Sequence, residues 1–256
     1  LIISLLSIKF LVTYSLYDDA FYYFKIAQNI LSEKGVSFDG LSQTNGFHPL
    51  WQAVVTFVFF IVASSALRIK LLLLISSVLD IGTAFLLFKI TTAIFKKPTL
   101  GIFACALWAL NFYVIATTLN GMESALNAFL ISLAFYSFII LLLSSSINLR
   151  SICIFGAVAG LALLARTDNF IILLPLGIFL LIKKGIKVGL AGVISCLLIV
   201  APWIFWNLFT FGTVIQDSAI AIPSLFMYAQ KISGQSFNYL VFTLKDSVAY
   251  FLRLYL

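Results

Sequence analysis

The feature that most constrains this sequence is a series of long apolar runs, separated by short links that contain most of the charged residues. Several runs approach the roughly 20 residues that a helix needs to cross a bilayer, and the alternating ten-residue segments of outer-membrane barrels are missing. The sequence therefore predicts an all-α, polytopic bundle of transmembrane helices. The runs lie near 1–17, 49–67, 71–95, 99–118, 122–146, 151–166, 169–182 and 186–208, with a last one from about 236.

Composition excludes a soluble fold, because only 10% of the residues are charged and 62% are apolar, whereas a soluble domain has roughly a quarter charged residues. The net charge of +7 would suggest a nucleic-acid partner in a soluble protein. Here the positive residues sit in links between apolar runs, where orientation in the membrane explains them. We therefore expect no nucleic-acid partner. The three cysteines stand singly, without C-x-x-C spacing, and give no support to a disulfide framework or a thiolate metal site.

The most positive links set the predicted orientation, because cytoplasmic loops of membrane proteins are enriched in Lys and Arg. These links contain Lys96 and Lys97, Arg150, and Lys183, Lys184 and Lys187. The stretches 14–48 and 209–235 then become external loops. Most of the acidic residues fall at or beyond this outer boundary, the exceptions being Asp80 and Asp246. Orientation alone does not bring carboxylates there, since Asp and Glu contribute little to it.

One apolar run conflicts with this orientation. An odd number of crossings must join the external loop 14–48 to the cytoplasmic Lys96, yet the runs 49–67 and 71–95 make two. We predict that 49–67 is an interfacial or re-entrant helix. The alternative is two ordinary spans with Lys96 exported.

Two adjacent carboxylates, Asp18 and Asp19, end the first run and open an amphipathic stretch, Ala20 to Lys34. Both suit a helix N-terminus, where a carboxylate meets free N–H groups and the positive end of the dipole, so capping is one interpretation. The other is chemical: one carboxylate removes a proton from a hydroxyl while its neighbour raises the proton affinity of the first. The predicted surface helix places Lys25, Gln28, Asn29 and Ser32 opposite Phe21, Phe24 and Leu31.

The stretch from Gly35 to Trp51 contains turn residues, among them Asn45 before a glycine, and then Pro49 opening a helix, so we predict a structured loop. His48 is the only histidine, which excludes a multi-histidine metal site. It makes either a loop hydrogen bond or a substrate contact. Trp51 either stacks on a sugar ring or anchors the chain at the membrane interface.

Arg166 and Asp168 lie between runs of about 16 and 14 residues, which as helices span roughly 24 and 21 Å against a hydrocarbon core of about 30 Å. The tip of this hairpin is therefore expected below the outer surface, where charged residues face a water-filled cavity or each other. Either the two residues form an ion pair, or Arg166 holds a phosphate with its planar fork of donors.

Two further acids have alternative interpretations. Glu123 opens the fifth run, so it either caps that helix or, lying beside the other outer tips, contacts substrate. Asp80 falls in the middle of a run, among Ser77, Gly82 and Thr83. It is either a helix-packing residue or, in a transporter, a proton site.

Five segments in order resemble the GT-C superfamily of membrane glycosyltransferases, specifically bacterial and archaeal relatives of protein O-mannosyltransferases, aminoarabinose transferases and arabinofuranosyltransferases. They cover about residues 10 to 220 and read Y-D-D-A-F-Y-Y-F-K-I-A-Q-N-I, S-Q-T-N-G-F-H-P-L-W, N-G-M-E-S-A-L, L-A-R-T-D-N and A-P-W-I-F-W-N-L-F-T-F-G-T. The resemblance implies one GT-C domain over 1–256 with juxtamembrane helices in the first external loop. Members of that superfamily are usually longer, so we expect the domain to be incomplete at both ends.

The resemblance implies an inverting transferase that moves a sugar from a polyprenyl-phosphate or dolichyl-phosphate donor to an acceptor hydroxyl or amine of a glycan, lipid or protein. The reaction is expected at the extracytoplasmic face of a bacterial or archaeal plasma membrane, among membrane lipids. By analogy with the superfamily, Asp18 is the base and Asp19 supports it. Two carboxylates would allow a divalent metal, but relatives that use a monophosphate donor generally work without one, so no cofactor and no essential metal are expected. The candidate substrate contacts are Asn45, His48, Trp51, Glu123, Arg166 and Asp168.

A function from another class competes with this interpretation. The chain could be a membrane transporter of a lipid or small solute, with Asp80 as the coupling site. Transporters favour internal repeats and polar residues at the membrane midplane. The sequence shows no repeat and an acidic outer face, which favours the transferase.

Overall fold

The computed structural model describes residues 7–144, 148–217 and 228, and within these residues all regular structure is helical. This confirms the all-α prediction. Most of the predicted external loop 209–235, and the run from about 236, lie outside the described residues. The helices in chain order are α1 (Ile8–Tyr14), α2 (Asp18–Leu31), α3 (Pro49–Ile61), α4 (Ser65–Phe95), α5 (Pro98–Ala109), α6 (Phe112–Thr118), α7 (Ser124–Leu143), α8 (Leu149–Ala165), a 3-10 turn (Thr167–Asn169), α9 (Phe170–Lys184) and α10 (Ile186–Phe211).

Three helices in the described part of the chain, α4, α7 and α10, are long and apolar enough to cross a bilayer, with 31, 20 and 26 residues. Helices α5 and α6 are bent by 59° relative to a straight helix, and they make a fourth span if they are counted as one broken helix. These helices indicate an integral membrane protein. Helices α3 and α8 are apolar but shorter.

The predicted helix over 49–67 ends early. Helix α3 stops at Ile61, the backbone of Val62 is extended (φ −119°, ψ 121°), and α4 begins at Ser65. The side chain of Arg68, in the first turn of α4, stabilises the break: its Nε donates to the Val62 carbonyl at 2.6 Å and its Nη2 to the Phe59 carbonyl at 3.0 Å. Arg68 thus belongs to the long helix instead of a link before it. At 13 residues α3 is too short for an upright span, and its interfacial placement stays a prediction.

The predicted run 99–118 is bent. Asn111 opens α6 by accepting hydrogen bonds from the N–H groups of Tyr113 and Val114 at 2.9 and 3.3 Å, which makes a new helix start inside the apolar run. The carboxylate of Asp80 on α4 accepts a hydrogen bond from Trp108 Nε1 on α5 at 2.8 Å. Asp80 therefore has a structural task in this fold, holding α5 against α4.

Helices α8 and α10 approach each other closely because small residues face the contact. A Cβ atom on Gly156 would collide with the carbonyl of Gly192, and one on Gly160 would lie 2.8 Å from the Cys196 carbonyl. The two glycines form a G-x-x-x-G pattern, which lets membrane helices pack backbone to backbone. Leucine at either position would force the helices apart.

The amphipathic helix α2 packs along α3, but its two faces differ from the predicted ones. Asn29 is buried, and its amide donates to the carbonyls of Ser37 and Phe38, each at 2.9 Å. Phe21 and Leu31, predicted on the apolar face, are exposed. The reason is a tertiary contact. The loop that follows the helix folds back over its C-terminal part, and its carbonyl groups satisfy the hydrogen bonds of the buried Asn29 amide.

Candidate functional site

A buried carboxylate, Glu123, lies at the centre of the candidate site. Its side chain is 1% exposed. Its Oε2 accepts a hydrogen bond from the Tyr23 hydroxyl at 2.9 Å, its Oε1 accepts one from Arg166 Nη1 at 3.1 Å, and His48 Nε2 lies 3.6 Å from the same Oε1. With Asp168, these residues form what we call the buried polar cluster: Tyr23, His48, Glu123, Arg166 and Asp168.

The loop before α7 turns Glu123 inward. Glu123 occupies the N-cap position of α7 but makes no side-chain cap hydrogen bond, so the capping interpretation does not describe this structure. Gly121 adopts φ +78°, where a Cβ is strained and would also collide with Leu16 and Ala20. The Gly121 carbonyl accepts a hydrogen bond from Trp51 Nε1 at 3.2 Å. This close contact with α2 and α3 places the carboxylate among its partners.

Arg166 is held by two carboxylates. Its Nε and Nη2 donate to the two oxygens of Asp168 at 3.1 and 3.0 Å, and its Nη1 donates to Glu123. A guanidinium has five N–H donors, so two remain for a ligand. The structure thus contains the Arg166–Asp168 ion pair, and a phosphate would have to be bound by the two remaining donors.

The hairpin tip that presents Arg166 is fixed by a buried amide. Helix α8 ends at Ala165, and the 3-10 turn places Asn169 beneath the tip. The Asn169 amide donates to Asn127 Oδ1 at 2.6 Å and to the Ala162 carbonyl at 2.7 Å. Arg166 therefore projects from a backbone that cannot shift without breaking these bonds.

Burial decides the protonation of the cluster's neutral members. Desolvation lowers the pKa of His48, an effect opposed by Glu123 and assisted by Arg166. Burial and then the Glu123 charge raise the pKa of Tyr23, which keeps the phenol protonated as a donor. The hydrogen bonds from Arg166 lower the pKa of Asp168. The Nδ1 atom of His48 is buried and has no hydrogen-bond partner in the part of the chain that the structure describes.

A polar cavity of about 550 Å³ opens beside the cluster, within the usual size range of small-molecule sites. The side chains of Arg166 and Asp168, 37% and 58% exposed, form part of its wall. The remaining lining residues are Thr117, Ser124, Asn127, Asn169, Ile171 and Ile172.

The predicted catalytic pair, Asp18 and Asp19, lies in the first turn of α2 with both residues exposed. Asp18 Oδ1 accepts a hydrogen bond from the Asp19 N–H at 3.0 Å. The preceding N–H, of Tyr17, donates to the Asn120 carbonyl at 3.0 Å. The pair therefore stands beside the loop that carries Glu123. In the described part of the chain neither aspartate forms an ion pair with Arg166.

Two predicted substrate contacts, Asn45 and Trp51, are buried packing residues in this structure. Asn45 is fully buried, where its Nδ2 donates to Asn207 Oδ1 at 2.7 Å and its Oδ1 accepts from the Asp217 N–H at 2.9 Å. Trp51 is 0% exposed. Its ring therefore has no exposed face for a sugar and lies beneath the protein surface.

Sequence reasoning missed several polar residues around the cluster. Tyr23 follows Asp19 by one helical turn, a spacing that places both on one side of a helix and could have identified it. Gln52 donates from Nε2 to the Tyr23 carbonyl at 3.2 Å, while its Oε1 is buried without a partner. Gln216 donates to the Phe47 carbonyl at 2.9 Å. No local signal marks Gln216, because its partner is 169 positions away.

An apolar groove of about 580 Å³ lies between α2, α3 and α10. In sequence it adjoins the buried polar cluster. Phe47, which precedes His48, forms part of its wall, and Gln52 and Thr56 are its polar lining residues. Aromatic rings supply much of the remaining surface, from Phe57, Phe60, Trp203 and Trp206.

Comparison with known proteins adds no relative to this description: no protein-family model, no curated protein and no solved structure matches the chain.

Proposed function

We propose that this protein is a membrane glycosyltransferase of the GT-C type, which transfers a sugar from a polyprenyl-phosphate or dolichyl-phosphate donor to an acceptor hydroxyl or amine. The observation that carries the proposal is the arrangement at one end of the bundle. The exposed Asp18 and Asp19 lie beside the loop whose Glu123 holds Arg166 at the wall of a polar cavity. A base and a phosphate-binding cation are the two groups this reaction requires of a protein.

The two cavities support a donor with a polar head and an apolar tail. The groove beside Phe47 is almost entirely apolar and is large enough for several isoprene units, while the cavity beside Arg166 is polar. His48 follows Phe47 in the chain and approaches Glu123. A lipid-linked sugar could therefore place its tail in the groove and its phosphate near the cluster.

The proposed chemical step needs little from the protein beyond position, a base and charge stabilisation. The acceptor oxygen or nitrogen bonds to the anomeric carbon while the bond from that carbon to the phosphate oxygen breaks. The acceptor proton passes to Asp18, and polyprenyl phosphate leaves with the electron pair. Asp18 suits the role of base because its carboxylate is exposed and, among the described residues, makes only a local hydrogen bond. The two unused N–H groups of Arg166 suit the leaving phosphate.

The test is sugar transfer by the intact protein in nanodiscs, supplied with radiolabelled polyprenyl-phosphate sugars and envelope extract. Asp18→Asn should abolish transfer, Asp19→Asn should reduce it, and Glu33→Gln, an exposed acid of the same segment, should leave it unchanged. Equal residual transfer in the two aspartate variants would reject Asp18 as the base. Failure of the wild type to bind or consume any donor, together with altered solute flux in Asp80→Asn liposomes, would replace the transferase by the transporter.

A further inference from the structure

A third cavity, a cleft of about 450 Å³, lies away from the buried polar cluster, on the side of α2 that faces away from Tyr23. We call this the outer side of α2, and the side that carries Tyr23 the inner side. Tyr23, on the inner side of the helix, is buried, whereas Lys25 and Gln28 are exposed and contribute to the cleft. The other wall comes from the start of the long membrane helix α4, at Ser65 and Arg68. The cleft is therefore at an end of a candidate membrane span.

The guanidinium of Arg68 is held in place by hydrogen bonds to backbone carbonyls. Unlike Arg166, Arg68 has no acidic partner in the described residues. Two of its donors hold the end of α3, through the Val62 and Phe59 carbonyls, and its guanidinium carbon lies 4.6 Å above the Phe59 ring centroid. Three of its five N–H donors remain. Lys25 adds a second cation to the same cleft, and no carboxylate lines it in the described part of the chain.

The remaining walls of the cleft are apolar. Phe24 contacts both Phe21 and Phe59, with ring centroids 5.6 Å apart in each pair. Phe21 is 42% exposed. An exposed aromatic surface beside two unpaired cations matches a molecule that has an anionic head and an apolar chain.

We propose that this cleft binds an anionic phospholipid of the surrounding bilayer. Its phosphate would contact Arg68 and Lys25, and the first part of an acyl chain would lie against Phe21 and Phe59. A bilayer lipid fits better than a soluble anion because the cleft is largely aromatic and lies where a membrane helix begins. This lipid would seat α2 on the membrane. The site is separate from the proposed donor site, so the inference does not depend on the transferase.

The experiment measures binding of phosphatidylglycerol to the delipidated, detergent-solubilised protein by native mass spectrometry. Lys25→Gln and Arg68→Gln should each weaken binding by about tenfold, the effect of one charge-assisted hydrogen bond. Arg68→Lys, which keeps the charge, should retain more affinity than Arg68→Gln. Lys34→Gln removes an exposed lysine outside the cleft and should bind as the wild type does.

Lys25→Gln decides the matter even if the Arg68 variants fail to fold, because Lys25 is exposed. Equal binding by Lys25→Gln and wild type, or an equal loss in Lys34→Gln, would overturn the proposal. So would equal affinity for phosphatidylcholine, or displacement of the lipid by millimolar inorganic phosphate, which would indicate a simple anion site. No sugar donor is present, so failure of the transferase proposal would leave this result unaffected.

Discussion

The two sides of helix α2 face opposite electrostatic environments. On the inner side, Arg166 is matched by Glu123 and Asp168, and each of its contacts comes from within the protein. On the outer side, Arg68 and Lys25 line a cleft without a carboxylate among the described residues. An arginine surrounded by acids is positioned before any ligand arrives, whereas a fixed arginine without them is available to an external anion. The same residue type is thus held by two carboxylates on one side, with two N–H donors left over, and has no acidic partner among the described residues on the other.

The largest effect on this comparison is expected from Glu123→Ala. The substitution leaves the Tyr23 hydroxyl and one Arg166 donor without their buried partner. We expect the free energy of unfolding to fall by about 2–3 kcal/mol, less than a fully buried pair would lose because Arg166 is partly exposed. Thermal unfolding in detergent checks this, with Glu33→Gln as the exposed control. Equal midpoints for the two variants would show that the cluster is not held by Glu123.

A smaller effect is expected from acidification, through His48. Burial lowers its pKa in the folded protein, against the opposing attraction of Glu123 and with repulsion from Arg166, while Asp168 also favours the charged form. The unfolded chain therefore takes up a proton near pH 6.5 that the folded protein does not. Stability should fall as the pH drops through 6.5, by at most about 1.4 kcal/mol per pH unit.

Denaturant titrations at pH 7.5 and pH 5.5 test this pH dependence, with His48→Asn as the comparison. The difference between the two pH values should shrink in the variant. The lowered pKa of Asp168 acts in a separate window, because its stabilisation is lost only as the pH falls through the lower range of carboxylates. An identical pH response in wild type and His48→Asn would show that burial of this imidazole does not govern stability.

The smallest effect on stability is expected on the outer side. Lys25 is exposed and makes no ion pair in the described residues, so Lys25→Gln should change the free energy of unfolding by no more than about 0.5 kcal/mol. Thermal unfolding in lipid-free detergent measures it alongside Lys34→Gln. A loss comparable to that of Glu123→Ala would mean that the outer cations are structural, and the contrast between the two sides would disappear.

The sequence predicted the elements of this site better than its connections. Periodicity and composition placed Asp18 and Asp19 at the start of a helix and Arg166 at a hairpin tip, because these are local properties of the chain. The central role of Glu123 was not predictable in this way. Its partner Tyr23 is 100 positions away, and the position before a helix left two alternatives, a cap or a contact beside the other outer tips.

The helix boundaries show the same limit. The break after Ile61 depends on Arg68 reaching back to two carbonyls, and the bend before Phe112 depends on Asn111 competing with a continuous helix. Hydropathy does not distinguish a straight apolar helix from a broken one, since both are equally apolar. The G-x-x-x-G pattern at Gly156 and Gly160 is, by contrast, local and readable in the sequence, but we made no prediction from it.

That glycine contact also couples the apolar groove mechanically to the hairpin tip that carries Arg166. Helix α8 leads directly into Arg166, and α10 carries Trp203 and Trp206 of the apolar groove. Because no side chain separates the helices at Gly156 and Gly160, a tilt of α10 cannot be absorbed by repacking and is passed to α8. A ligand that widens the groove beside Trp203 and Trp206 would therefore strain the backbone that presents Arg166, which lies at the same end of the two helices.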